Sequence, residues 1–319
     1  MEQLNLKQQD YKLSFHGKGA DFFGVIIINW LLTVITLGFY YPWAKAKQLK
    51  FIYGSIALKE DAFTFHGTGK EMFDGFVKSI LIFALILIVF LLFTLYEMPL
   101  IGMLFLYLGL FAFMPLAIHG SYRYRMSRTS WRGIRFGYRG ERAELFQNWF
   151  TWIFYSIITL GFYGAWFTVN LRNYVLSNVK FGDIEFKSEA NGLDYFKMNL
   201  KGYFLTLITL GVYMFWWQKD LFAFYVNNVS LHKGDKSIQL TATASAGGFF
   251  KLMVVNMLIV IFTLGLGYAW AVTRTLNYII SNIKLEGDID LDKIIQTEDN
   301  FTDATGEDMS HLLNIDFVL

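Results

Sequence analysis

The sequence predicts a polytopic α-helical membrane protein made of repeated helical hairpins, with short β-strands in the connecting links forming a cytoplasmic cap. Three observations predict it. The chain is 55% hydrophobic and 17% charged, with a mean hydropathy of +0.38, whereas a soluble domain is roughly 45–50% apolar and about 25% charged. Long apolar runs recur along its 319 residues. The string Thr-Leu-Gly, separated by four residues from a Trp, stands four times, each after an apolar run: Thr36…Trp43, Thr159…Trp166, Thr209…Trp216 and Thr263…Trp270. A Phe precedes each Thr at a fixed distance (Phe23, Phe146, Phe196, Phe250). Fixed spacing on both sides reads as internal repetition.

Residues 1–21 are a polar segment of mixed charge without the layout of a signal peptide. Residues 22–282 read as a membrane domain of five hairpins, at about 22–55, 73–120, 146–178, 196–228 and 250–282. The second is the longest. Its runs 75–96 and 98–118 are almost uncharged, and each meets the roughly 20 residues needed to span the hydrocarbon core. In the other four, Gly38, Gly161, Gly211 and Gly265 are expected to end the first helix, because glycine tolerates the left-handed conformation of a helix C-terminus. Two topologies compete. Either both helices of each pair cross the bilayer, giving ten spans, or only the first crosses and the second lies in the interface. Paired crossing is preferred, since near-identical copies should fold alike and an even number of crossings returns each to the same side.

The links 55–65, 129–138, 178–186, 228–240 and 282–291 alternate apolar and polar residues around turn signals such as Lys233-Gly234-Asp235 and Gly182-Asp183. Open strand edges cannot sit in lipid, so these strands are expected in water, paired into a small sheet capping the bundle. Seven Arg between 121 and 145 mark that side, and with it both termini, as cytoplasmic. Residues 283–319 carry ten acidic and two basic side chains, against 26 basic and 16 acidic in 1–282, and read as a solvated acidic tail.

Lys47, Asn170, Asp220 and Arg274 each stand four residues after the recurring Trp and share its helix face. They are the candidate polar lining of the bundle interior, because ionisable groups inside a membrane mark solute or ion paths; a structural ion-pair network is the alternative. Asp220 is the only acidic member, so Asp220→Asn is expected to destabilise the chain. Trp43, Trp166, Trp216 and Trp270 read as an aromatic belt at the far interface. Arg123, Arg125, Arg128, Arg132 and Arg135 are candidate contacts for anionic lipid headgroups. A nucleic-acid role is not expected of them, since they lie beside a span where topology alone requires positive charge. His16 and His66 sit in matching Phe-His-Gly-x-Gly contexts, read as loop histidines in turn hydrogen bonds rather than metal ligands. The paired glycines that follow lack a phosphate loop's ending, and no cofactor is expected. There is no Cys, and no nucleophile–base pattern points to an enzyme.

Asn29-Trp30…Thr36-Leu37-Gly38-Phe39-Tyr40…Pro42-Trp43-Ala44-Lys45 resembles the signature of the YjgN-like family of bacterial inner-membrane proteins, which carry a domain of unknown function. Ser130-Trp131-Arg132-Gly133-Ile134-Arg135-Phe136 is similar to its central motif. The tail from Gly306 to Asp316 is similar to the family's C-terminal end, with Asp308-Met309-Ser310 in place of its usual middle. The resemblance implies an inner-membrane location and no catalytic residues. The leading functional expectation is passive or facilitated passage of a small polar solute or ion. Its rival is a non-transporting scaffold that binds a partner protein or anionic lipid. A homo-oligomer is compatible with both.

Overall fold

A computed structural model describes residues 9–297. Ten strands alternate with helices in five units. The first runs β1 (Gln9–Phe15), α1 (Gly19–Ile35), α2 (Tyr41–Ser55) and β2 (Ile56–Leu58). The second is β3 (Asp61–Phe65), α3 (Gly69–Leu95), α4 (Pro99–Ser127) and β4 (Thr129–Trp131). The third is β5 (Ile134–Tyr138), α5 (Arg142–Ile158), α6 (Gly164–Ser177) and β6 (Val179–Phe181). The fourth is β7 (Ile184–Ser188), α7 (Gly192–Ile208), α8 (Met214–Asn227) and β8 (Val229–Lys233). The last is β9 (Lys236–Ala242), α9 (Ala246–Phe262), α10 (Tyr268–Ser281) and β10 (Ile283–Gly287).

The strands do not form a cap over a helical bundle. Every strand pairs antiparallel with two neighbours, and β1 closes onto β10, giving a ten-stranded barrel. Its register decides which face is apolar. Leu13 stands opposite Leu58, Phe63 opposite Trp131, Phe136 opposite Phe181, Phe186 opposite Leu231, and Leu285 opposite both Tyr11 and Leu240. All ten strands place side chains of this set in one hydrophobic cluster, which fills the barrel. The other face carries Lys12, Thr64, Arg135, Glu185, Lys187, Gln239 and Lys284, with Lys180 ion-paired to Glu185 directly across the strands at 2.8 Å. Apolar inside and polar outside is the pattern of a barrel in water. Strands of three to seven residues are also shorter than the roughly 9–11 residues of a membrane-spanning strand.

The ten-span topology fails on length. Among the described residues only α3, with 27 residues, and α4, with 29, are long and apolar enough to cross a bilayer. The first helices of the other four hairpins have 17 residues each and the second helices 14 or 15. At about 1.5 Å per residue, 17 residues reach about 25 Å, short of a hydrocarbon core about 30 Å thick. The helices pack in chain order, and α10 closes onto α1, so a ring of hairpins rises from a ring of strands.

The chain leaves β10 and turns back across the barrel. Ile289 is fully buried, and Leu291 and Ile294 nearly so, within the interior cluster. Tyr11 donates to the Ile289 carbonyl at 2.8 Å. This segment, 288–297, also reaches the hairpin turns at that end of the barrel. Asp292 pairs with Lys59 and Arg132, Asp183 accepts from the Ile295 amide at 3.1 Å, and Lys233 donates to the Lys293 carbonyl. The expected solvated tail therefore begins as a plug. Residues 298–319, with the Gly306–Asp316 resemblance, lie outside the described residues, as do 1–8.

Candidate functional site

The hairpin tips share one geometry. In each Thr-Leu-Gly turn the left-handed residue is the leucine: Leu37, Leu160, Leu210 and Leu264 have φ of 49–52°. The following glycine, also at positive φ, donates its amide five residues back, as Gly38 does to Thr33 and Gly211 to Thr206, both at 2.8 Å. This is the Schellman closure of a helix. The Thr hydroxyl then accepts from the amide four residues on: Tyr40 to Thr36, Tyr163 to Thr159, Tyr213 to Thr209 and Gly267 to Thr263. The sequence reading gave the left-handed role to glycine. The structure gives it to both residues, to the glycine at φ of 91–95° and to the leucine before it, which is 89–95% exposed. In the α3–α4 turn the residue with left-handed φ is Glu97, at 60°, and the Met98 amide makes the matching bond to Phe93 at 2.9 Å.

The recurring tryptophans sit at seams between hairpins. A Cβ on the first residue of α3, α7 or α1 (Gly69, Gly192, Gly19) would lie 2.3 Å from the indole of Trp43, Trp166 or Trp270 respectively. The same indoles pack against Phe73, Phe196 and Phe23 of those helices, with ring centroids 5.0, 5.7 and 5.2 Å apart. At the fourth seam α9 begins with Ala246, Phe215 rather than Trp216 meets Phe250, and Trp216 is 48% exposed and stacked on Tyr213.

Among the described residues no hydrogen bond or ion pair links Lys47, Asn170, Asp220 and Arg274 to one another. Each is engaged within its own hairpin. Lys47 donates to the Tyr40 hydroxyl at 2.8 Å and Asn170 to that of Tyr163 at 3.3 Å. Arg274 donates to the Asn256 side chain at 3.1 Å. Asp220 pairs with its neighbour Lys219 at 2.9 Å, with both side chains more than a third exposed.

The arginine-rich stretch divides. Arg123 and Arg125 lie on the last turns of α4, and Arg128, just past its end, pairs with Glu71 at 3.3 Å. Glu71 also closes a capping box with Thr68 at the start of α3. Arg132 stands at the β4–β5 turn, bonded to Asp61 and Asp292 and stacked over Trp131 at 4.5 Å. Arg135 is in β5, where its amide donates to the Gln296 side chain at 3.0 Å. His16 bonds Ser14 and His66 bonds Ser130, at 2.9 and 2.8 Å. The plug was missed because its signal, Ile-Asp-Leu-Asp-Lys-Ile-Ile from 289 to 295, alternates like one more surface strand.

The chain matches the family described as bacterial protein of unknown function (DUF898) over residues 10–201 and 217–312. It is similar to the inner membrane protein YjgN of Salmonella typhimurium (strain LT2), 29% identical over 54% of this chain and 42% of that one. The protein of the same name in Escherichia coli K12 is 30% identical over 46% and 35%, and that of Escherichia coli O157:H7 is 31% identical over the same shares. The chain spans less than half the length of these relatives. No solved structure matches it. The family match covers nearly the whole chain, the relatives are inner-membrane proteins, and α3 and α4 have the length of spans: the chain belongs to the YjgN-like DUF898 family of bacterial membrane proteins of unknown function.

Proposed function

We propose that the chain is a non-transporting membrane scaffold, a sealed barrel held at the cytoplasmic face of the inner membrane and open to a partner protein on its polar outer surface. The observation that carries this reading is the barrel interior, filled by a single apolar cluster and closed by the 288–297 plug. A solute path would need polar groups converging on an open lumen. Here the four expected lining residues bond locally instead.

The tips supply the anchoring. A left-handed leucine costs about 1–2 kcal/mol against glycine, and it recurs at four tips that are almost fully exposed. A large apolar side chain left almost fully exposed at each of these tips supports insertion into hydrocarbon. The long hairpin carries Glu97 at the corresponding turn position, in keeping with a tip that passes through the bilayer and meets water. One crossing hairpin and four embedded in the near leaflet put all barrel strands on one side. The arginines at the end of α4 support the cytoplasmic side.

Flux into proteoliposomes tests the reading. Potassium and small polar solutes should equilibrate no faster than in protein-free vesicles. Saturable flux that scales with protein content would overturn it.

A further inference from the structure

We infer that the helix ring holds a binding site for a long-chain fatty acid, with Arg172 on α6 as the group that takes its carboxylate. Arg172 is only 9% exposed. Its guanidinium donates to the Tyr225 backbone carbonyl at 2.7 Å and lies 4.5 Å from the Tyr225 ring. Among the described residues no carboxylate pairs with it. A buried guanidinium with one neutral acceptor and one ring keeps most of its five donors for something else, and an unpaired buried charge is costly. The fork geometry of arginine matches a carboxylate through two parallel hydrogen bonds.

The space beside it suits an acyl chain. A cavity of about 260 Å³ adjoins Arg172, walled by Met114, Ile118, Trp149, Phe167 and Leu171. A more open hollow of about 670 Å³ adjoins it, sharing Phe111, Ile153 and Phe167 as walls and extending to Leu104 and Ile157. Between Leu104 and Ile118 the two follow α4 for about 21 Å at the helical rise. The outer hollow is lined almost wholly by apolar side chains of α4 and α5. The result is an apolar crevice with one cation near its inner end. A single-chain amphiphile with an anionic head fits that polarity. A two-chain phospholipid needs room at its head for a glycerol and a hydrated phosphate, and the Arg172 end is closed in by α4, α5, α6 and α8. The site is independent of whether the barrel conducts.

The test uses the full chain, purified in a non-ionic detergent and titrated with palmitate, methyl palmitate and phosphatidylglycerol, with bound ligand counted by native mass spectrometry. One palmitate per chain is expected, with at least tenfold weaker retention of methyl palmitate and no displacement by phosphatidylglycerol. Arg172→Gln should lower palmitate retention at least tenfold. Met114→Trp, which fills the cavity and leaves Arg172 and Tyr225 in place, should do the same without altering the circular dichroism spectrum, which keeps the inference testable if the arginine variant misfolds. Equal retention of the methyl ester, displacement of palmitate by phosphatidylglycerol, or unchanged binding by a folded Arg172→Gln or Met114→Trp would each overturn the assignment.

Discussion

Trp270 of the last hairpin lies against Gly19 of the first, so close that a methyl group on Gly19 would meet its indole at 2.3 Å. The helix ring is closed by this contact between residues 251 positions apart in the sequence. Gly19→Ala should therefore force the indole outward, and overpacking of this kind costs about 1–3 kcal/mol. Gly24, on the same helix, has open space where its Cβ would be. Gly24→Ala should be neutral or stabilising by up to about 1 kcal/mol, through helix propensity. Thermal melts of the two variants in detergent make the comparison. Gly69→Ala and Gly192→Ala should behave as Gly19→Ala does, because Trp43 and Trp166 crowd them in the same way.

The plug makes the barrel acid-sensitive. Hydrogen bonds from Lys59, then from Arg132, hold the Asp292 carboxyl below the usual carboxylate range. Burial pushes Asp183 up, but Lys233 and the Ile295 amide outweigh it and its net shift is downward. A depressed folded value means the stabilisation is complete above the unfolded value, about 3.9 for an aspartate. It is lost as the pH falls through the folded value. Melting temperature should hold between neutral pH and about 5 and fall in more acidic buffer, with a shallower fall in Asp183→Asn.

Within the plug, Ile289 is completely buried, and Ile289→Ala should cost about 2–5 kcal/mol. Hydrogen exchange at Ile184 and Ile238 reports whether the barrel loosens with it. If their protection is unchanged while the segment itself exchanges freely, the plug is a cover and not part of the core.

Much of this architecture is legible locally. The Thr-Leu-Gly strings mark turns because a hydroxyl and two positive-φ residues are needed in sequence to close a helix there. The alternation in the links marks strands, since one face must be apolar. What sequence does not carry is closure. Leu285 facing Tyr11 across the β1–β10 seam, like Trp270 on Gly19, is a contact between opposite ends of the chain, and no spacing rule reaches that far. Crossing number is not legible either. The likeness of the repeats suggests that every hairpin crosses alike, but a repeat pattern does not say how deep a 17-residue helix ending at Ile35 or Ile158 sits. Arg172 stood two residues beyond Asn170, on a different face of α6. The repeat position drew attention to the asparagine, while the arginine is the residue that is buried.

Asp220 tests the local reading of the polar residues. In a central ring, removing its charge would strand two buried cations at a cost of about 3–5 kcal/mol. Paired among the described residues with Lys219, with side chains 34% and 39% exposed, it belongs with surface ion pairs worth about 0–1 kcal/mol. Asp220→Asn should melt close to the parent. A large loss would show that Asp220 meets a cation elsewhere in the assembled protein.

The tips offer the strongest test of how the chain sits in the bilayer, and the absence of native Cys makes it direct. Single cysteines at Leu37, Leu160, Leu210 and Leu264 would each carry a fluorophore at the outermost point of a short hairpin. If the short hairpins are anchored as proposed, brominated lipids should quench all four, because a 17-residue helix would then end inside the hydrocarbon. A label at Glu97 should escape quenching and react with an impermeant reagent from the periplasmic side. Labels at Lys59, Lys187 and Lys236, on barrel turns and strands, and at Arg139, just after β5, should react from the cytoplasmic side only. Leu210→Gly separates the two roles of the tip. It relieves the left-handed strain, so the melting temperature in detergent should rise by the equivalent of about 1 kcal/mol. On the proposed anchoring the same substitution removes the side chain that would enter the membrane, so a neighbouring label at Val212 should be quenched less. If instead a label at Leu210 reacts from the periplasmic side as Glu97 does, the short hairpins cross the bilayer and the single-span anchoring is wrong.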